Sequence, residues 1–468
     1  MNGIQRAGGS REQRLIRVPR LVGGVLATIA LVAAACGSST SSPAGSAVPP
    51  ASQPSVAPAG SGPAGSAATG YSGPPASLEY SIWGDPAEIT NQQAIVDEFV
   101  AANPNIDVNV TVSDWEPYWD KLQTSLAGGD APDVFAMDGP LGPDYQSRDV
   151  LLDLTPYIEG EGYDLTQLDE NAVKDFTTAD GKQFGLPRDL NVIALYYNKK
   201  MFDEAGIPYP DDTWDWAKLV EVGKQLTKDT DGDGTIDQWG VYTETTDMEN
   251  AWSSFVWQAG GDILSEDGTT SALDRPESAA GIQFLQDLIW KEKVSPDPAL
   301  FAETGDAFEQ GVAAMEINGS WLVPTDEAAG LDFGIAPLPK GPAGAATSVN
   351  PTGAVIYKNT ESPEAAWELV KYLASPAAQE KIMALKASVP VNKEILGTTY
   401  ADAFDGAQVF ADALSYAHLK PSFRGYDDFN TTLQTELDEN VFNTPTKTAK
   451  EAIASVNDQL NQILADNQ

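Results

Sequence analysis

Apolar and polar residues alternate from Leu78 to Trp83 and again from Asp107 to Val112, the period-two pattern of strands that bury one face. Between these runs Gly84, Asp85 and Pro86 turn the chain into a predicted helix over 90–101. Tyr118, Leu122 and Leu126 then recur at every fourth position, a helical stripe that Gly128 and Gly129 bring to a stop. Residues 132–137 read as a third strand, broken at Asp138-Gly139. This β-α-β-α-β order predicts a mainly parallel sheet with helices on its faces. In open sheets of that kind ligands gather beyond the carboxyl ends of the strands, where Trp83, Asp85 and Asp138 stand.

A second block opens at Phe184, with a strand over 192–198 and a short helix over 199–205 that Gly206 ends. Thr213 reads as the N-cap of a helix over 214–226. Ala313 to Ile317 is an apolar strand running into Asn318-Gly319-Ser320-Trp321. Ser362 and Pro363 open a helix that carries Trp367, Val370 and Leu373 on one side, and the chain beyond about 400 is mostly helical, finishing on Val456, Leu460 and Leu464.

The N-terminus follows neither pattern. Arg6, Arg11, Arg14, Arg17 and Arg20 precede an apolar run from Leu21 to Ala35 that is short for a membrane span, the organisation of a cleaved export signal over residues 1–35. Leu31-Val32-Ala33-Ala34-Ala35-Cys36 resembles a bacterial lipobox, in which the cysteine carries the lipid, with Ala33 where Leu is commoner. Residues 36–77 hold no charge and consist mostly of Gly, Ser, Pro and Ala, a composition that buries no core and so reads as a tether. At ~5–6 Å times the square root of its length, such a tether reaches roughly 35 Å from the membrane. The expected location is therefore the outer face of the cytoplasmic membrane.

Composition narrows the chemistry further. The chain has 468 residues with 68 acidic and 28 basic side chains, a single His and a single Cys. One imidazole and one thiol exclude a zinc site built from Cys and His and any site needing two histidines. Without the export segment 67 acidic and 23 basic side chains remain, a net charge of −44, which excludes ordinary nucleic-acid binding.

In this order and spacing, Leu126-Ala127-Gly128-Gly129-Asp130-Ala131-Pro132-Asp133-Val134, Leu195-Tyr196-Tyr197-Asn198-Lys199, Ala314-Met315-Glu316-Ile317-Asn318-Gly319-Ser320-Trp321 and Ser362-Pro363-Glu364-Ala365-Ala366-Trp367 resemble the extracellular solute-binding proteins of ABC importers, in particular the carbohydrate-binding group, across about residues 78–440. The resemblance implies an α/β fold of the two-lobed, periplasmic-binding-protein-like type II class with a hinge. One lobe would take residues 78–187 and 354–400, the other 188–353 and 401–468. It also implies a monomer that takes a sugar or oligosaccharide between its lobes and delivers it to the transmembrane subunits of a permease, with no catalysis and no required cofactor. An exported acidic glycosidase, or a receptor that reports to a sensor protein without transport, are the competing functions.

Sugars present apolar C–H faces edged by hydroxyls, so their sites pair flat aromatic rings with carboxylates, amides and Arg. Trp83, Asp85 and Asp138 are the candidates in the first lobe; Trp252, Trp257, Gly319, Ser320 and Trp321 are those of the second, with one of Trp252 and Trp257 expected in the core. Arg188 stands at the first expected crossover and Arg424 in the late region that returns to the cleft in this family. Tyr118 reads as part of its helix's apolar stripe. Separately, Asp229, Asp231, Asp233, Thr235 and Asp237 have the spacing of a calcium-binding loop, although position twelve is Gly240 in place of the usual Glu. A structural Ca²⁺ is the expectation there.

Overall fold

In the computed structural model of the chain, residues 71–84, 88–245, 248–301 and 305–468 are described. The export segment, Cys36, the tether up to residue 70 and Asp85 lie outside them. β1 (Ala76–Trp83) pairs in parallel with β2 (Ile106–Ser113) and β3 (Val134–Asp138). Leu78, Tyr80 and Ile82 turn inward, so the alternation read in the sequence is that of a strand with one buried face.

The expected mainly parallel sheet is corrected here: the sheet is mixed. β4 (Gly185–Asn198) and β8 (Thr347–Ile356) run antiparallel to each other, and β8 runs antiparallel to β3. β4 is one strand twice as long as the segment read from its apolar run. Its first half pairs with β8, while its second half leaves that ladder and pairs with β6 (Met315–Gly319) and β7 (Phe333–Ala336). β5 (Tyr242–Thr243) extends the far side next to β6, whereas β9 (Val389–Pro390) and β10 (Ala417–Leu419) edge β4 and β8. The register of β4 against β8 slips between Pro187 and Asp189, a bulge inside that ladder, and the strand passes from β8 to β6 between Val192 and Ile193.

β4 also separates two hydrophobic cores. Val192, Ala194 and Tyr196 pack with the core of β1–β3 and Trp367, while Ile193, Leu195 and Tyr197 pack with the core around Trp252 and Phe255. The second core is closed by the helices Tyr426–Leu437 and Ala449–Asp466, the latter begun by a capping box in which Thr448 and Glu451 satisfy each other's backbone N–H. Two caps differ from expectation. Asp215, not Thr213, accepts the Lys218 N–H at the start of the helix Trp216–Leu226, because Thr213 is held in a local turn by Asp211. Ser362 precedes its helix but makes no side-chain cap.

Candidate functional site

The helix Trp115–Gly128 presents two distinct faces. Tyr118 and Leu122 enter the core, and the Tyr118 hydroxyl donates to the Ala136 carbonyl at 2.5 Å, as the apolar stripe predicts. The neighbouring face carries Trp115, Glu116, Trp119, Asp120 and Gln123, spaced one and two turns apart, and lines a cavity of about 380 Å³. The helix Tyr426–Leu437 is built the same way: Phe429, Leu433 and Leu437 go into the second core, while Asp427, Asn430, Thr431 and Gln434 face the same cavity. Leu141, Asp144, Tyr145 and Arg148, together with Asp138 at the end of β3 and Lys420 after β10, complete the wall.

Aromatic rings dominate one side. Trp119 lies 5.3 Å from Trp115, 4.9 Å from Tyr118 and 5.9 Å from Tyr145 between ring centroids. Trp83 backs this group at 5.0 Å from Trp115 and 5.6 Å from Trp119. Such an edge-on cluster fixes the indoles without help from a ligand. Trp115 remains 39% exposed, so its ring offers free apolar surface.

Charge sits at the floor. Lys420, only 4% exposed, is held 3.0 Å from Glu249 and 3.5 Å from Asp138, and Asp138 also accepts a hydrogen bond from the Asn350 side chain. The loop around Lys420 is tied to the β3 side by two further bonds: Ser422 donates to the Gly139 carbonyl at 3.2 Å, and the Gly425 N–H donates to Asp144 at 2.8 Å. Burial, with help from Asp428 and Asp144, pushes the Asp427 carboxyl above the usual range, and burial lifts the Tyr145 hydroxyl to about 12.

The residues expected from sequence are scattered relative to this cavity. Asp138 lines it, and Trp83 lies directly behind Trp115 and Trp119. Asp85 lies outside the described residues. Trp252 is fully buried with its indole N–H donating to Gln434 at 3.2 Å, so it supports the wall from behind and presents no ring to a ligand. Trp257 is also buried, stacked on His418 at 4.8 Å. Gly319 and Ser320 lie outside this cavity and are buried at the end of β6, with the Tyr196 hydroxyl donating to the Gly319 carbonyl at 2.7 Å. The half-buried Trp321 ring lies against Gly319, where any Cβ would collide with it. Arg188 forms a buried ion pair with Asp189 at 3.4 Å within the β4 bulge, which occupies it structurally. Arg424 is exposed and lies outside the cavity wall. Trp115, Trp119, Gln123, Asn430 and Gln434, which line the cavity, were not among the residues read from the sequence, although the second polar-aromatic stripe on each helix was visible at helical spacing.

In the acidic loop, carboxylate oxygens of Asp229, Asp231 and Asp237 come within 4.8 Å of one another. Asp233 does not join them and instead accepts the Thr235 N–H at 2.7 Å. Hydrogen bonds from Gly234 and Gly232 hold Asp229 below the ordinary carboxylate range. Gly240 has a physical reason for lacking a side chain: a Cβ there would strike the backbone of Gly223.

Over residues 87–380 the chain matches the family described as bacterial extracellular solute-binding protein. It belongs to that family. Among its relatives the maltotriose-binding protein of Pyrococcus abyssi is 27% identical over 352 residues, covering 73% of this chain and 72% of that one. A maltooligosaccharide ABC transporter solute-binding lipoprotein of Streptococcus pneumoniae is 25% identical over 317 residues, covering 64% and 69%. In three dimensions the chain is similar to an ABC substrate-binding protein of Listeria monocytogenes solved with cycloalternan, at a TM-score of 0.77 and 28% identity over 83% of this chain and 99% of that one. The fold is therefore the two-lobed α/β fold of solute-binding proteins, as the motifs implied.

Apart from the cavity, carboxyls are also buried elsewhere. Burial and then Asp306 and Glu309 raise Asp326 to about 7, and burial, Ser422 and Asp138 leave Asp175 at about 7 as well. Their folded-state values lie above the unfolded one, so the stability they contribute is complete below about pH 4 and lost as pH rises through 7. The melting temperature is expected to fall between about pH 4 and 7 and to level off above, with the slope reduced in Asp326→Asn; a flat profile from pH 4 to 7 would contradict the assignment.

Proposed function

We propose that this protein captures a sugar or oligosaccharide in the cavity between the helices Trp115–Gly128 and Tyr426–Leu437 and delivers it to the transmembrane subunits of an ABC importer. The observation that carries the reading is the pairing of fixed indoles with carboxylates and amides across one cavity, the combination that saccharide C–H faces and hydroxyls require. The names of the relatives, binders of maltotriose and maltooligosaccharide, support the ligand class. In this reading Asp138 and the aromatic group belong to a lobe of residues 78–187 and 354–400, and the Tyr426–Leu437 helix to the lobe of 188–353 and 401–468. A ligand touching both favours their closed arrangement. Among the described residues no helix is long and apolar enough to cross a membrane, and attachment would come through the lipid on Cys36. The protein works as a monomer.

A panel of oligosaccharides tested by thermal shift separates receptor from glycosidase. A true ligand at 100 times its Kd adds ~2.7 kcal/mol of stability. The expected result is a shift with no new reducing ends; release of reducing ends would overturn the reading.

We infer also that the Asp229–Asp237 loop takes a structural Ca²⁺, supported by its three converging carboxylates. Calcium is expected to raise the melting temperature of chelator-treated protein and Asp231→Asn to abolish the increase. Equal melting in calcium and in chelator would rule it out.

A further inference from the structure

Two segments far apart in sequence pair in step at the floor of the cavity. Lys420 stands 3.5 Å from the Asp138 carboxylate, Ser422 donates to the Gly139 carbonyl at 3.2 Å, and the Gly425 N–H donates to the Asp144 carboxylate at 2.8 Å. Residues 420–425 and 138–144 therefore meet along a seam of three contacts. In the sugar-receptor reading, on which this inference rests, the first segment belongs to the lobe of the Tyr426–Leu437 helix and the second to the lobe of the aromatic group, so the seam joins the two lobes.

Each side of the seam leads directly into a cavity wall. Asp144 lies in the short helix Gly142–Ser147, whose buried Tyr145 packs 5.9 Å from Trp119. Opposite it, Gly425 is the N-cap of the helix Tyr426–Leu437, which turns Asp427, Asn430 and Gln434 to the cavity. That N-cap has a φ of 80°, in the region that favours glycine, and a Cβ there would strike Asn467. A glycine has no side chain with which to satisfy the start of its helix, and the Gly425 N–H is instead taken up by Asp144 from across the cavity. A negative charge at a helix N-terminus is also the favourable sign. The start of one wall is thus fixed by a carboxylate of the other. Ser422, half-buried, adds its bond from outside the cavity wall.

We propose that Ser422 and Asp144 are positioning residues: the seam they form holds the two walls at binding distance before a ligand arrives, so saccharide affinity depends on it although Ser422 does not reach the ligand. A ligand that first had to draw the walls together would bind with its intrinsic affinity reduced by the fraction of molecules already so arranged. The test compares Ser422→Ala and Asp144→Ala with Ser422→Thr and Asp144→Asn, which keep the hydroxyl donor and the acceptor oxygen, in the full chain. Calorimetric titration with maltose, maltotriose and maltotetraose gives the affinity, and amide exchange without ligand reports the seam itself. Each alanine variant is expected to bind about two- to tenfold more weakly, the range for one hydrogen bond, and to exchange faster both in residues 138–147 and in the first turns of the Tyr426–Leu437 helix. Ser422→Thr and Asp144→Asn should behave as the parent does. A lowered melting temperature with unchanged affinity would make the seam packing only and overturn the proposal. Equal losses in Ser422→Ala and Ser422→Thr would overturn it as well, because the hydroxyl bond would not be the cause. Should the parent bind none of the three sugars, the maltooligosaccharide reading falls and exchange alone decides: faster exchange on both sides of the seam in the alanine variants supports the positioning role, and unchanged exchange refutes it.

Discussion

A Lys420→Met protein is expected to be less stable by about 3–5 kcal/mol, the cost of removing one partner from a buried ion pair. Lys420 is the cation between Glu249 and Asp138, and all three side chains are less than a tenth exposed. Methionine fills most of the lysine's volume, so the loss is electrostatic: two carboxylates remain near each other without the charge that neutralised them. Asp138 keeps its hydrogen bond from Asn350, which limits the damage on that side. Adding Glu249→Gln to Lys420→Met is therefore expected to restore at least about 1 kcal/mol, since it removes one of the stranded charges. Urea unfolding of the two variants checks this. A single variant as stable as the parent would show that the triad does not hold the floor of the cavity.

Trp115→Ala is expected to weaken saccharide binding about 10- to 100-fold, the range for losing a well-placed aromatic anchor. Its ring is 39% exposed, so the unliganded protein should melt within a degree or two of the parent. Trp119→Ala should lose as much affinity but also lose stability, because that ring touches Trp83, Tyr118 and Tyr145 as well. Phenylalanine at either position should recover part of the binding. The contrast matters: loss of affinity in Trp115→Ala without loss of folding separates a ligand contact from a packing residue, and unchanged affinity in both variants would take the aromatic wall out of the site.

How far the sequence could be read depended on whether a signal was local. The strand ends at Trp83 and Asp138 and the buried stripe of Tyr118 and Leu122 follow from periods of two and four residues, and the structure has them there. The mixed sheet does not follow from local pattern. β4 and β8 are far apart in sequence, and nothing within either strand encodes that they run antiparallel or that β4 changes partners between Val192 and Ile193. The surroundings of the expected site residues were not legible for a related reason. Asn318-Gly319-Ser320-Trp321 resembles an exposed strand end, but β6 finishes inside the molecule, against β4 and under the Trp321 ring. Trp252 shows the same limit: a tryptophan near polar residues reads equally as a platform or as core, and its hydrogen bond to Gln434 makes it support for the wall. The legible signal that went unused was the second stripe. On both cavity-lining helices the polar and aromatic residues recur at helical spacing beside the core stripe, and a helix with two non-random faces has a second surface to serve.

The central claim, that a saccharide is held between the Trp115–Gly128 and Tyr426–Leu437 helices, is tested most directly by amide hydrogen exchange with and without the tightest-binding member of the oligosaccharide panel. Slowed exchange in peptides covering both helices, with β6 and the segment around Trp321 unchanged, is the predicted result. Protection confined to the β6–Trp321 region, or none at either helix despite saturation, would contradict it.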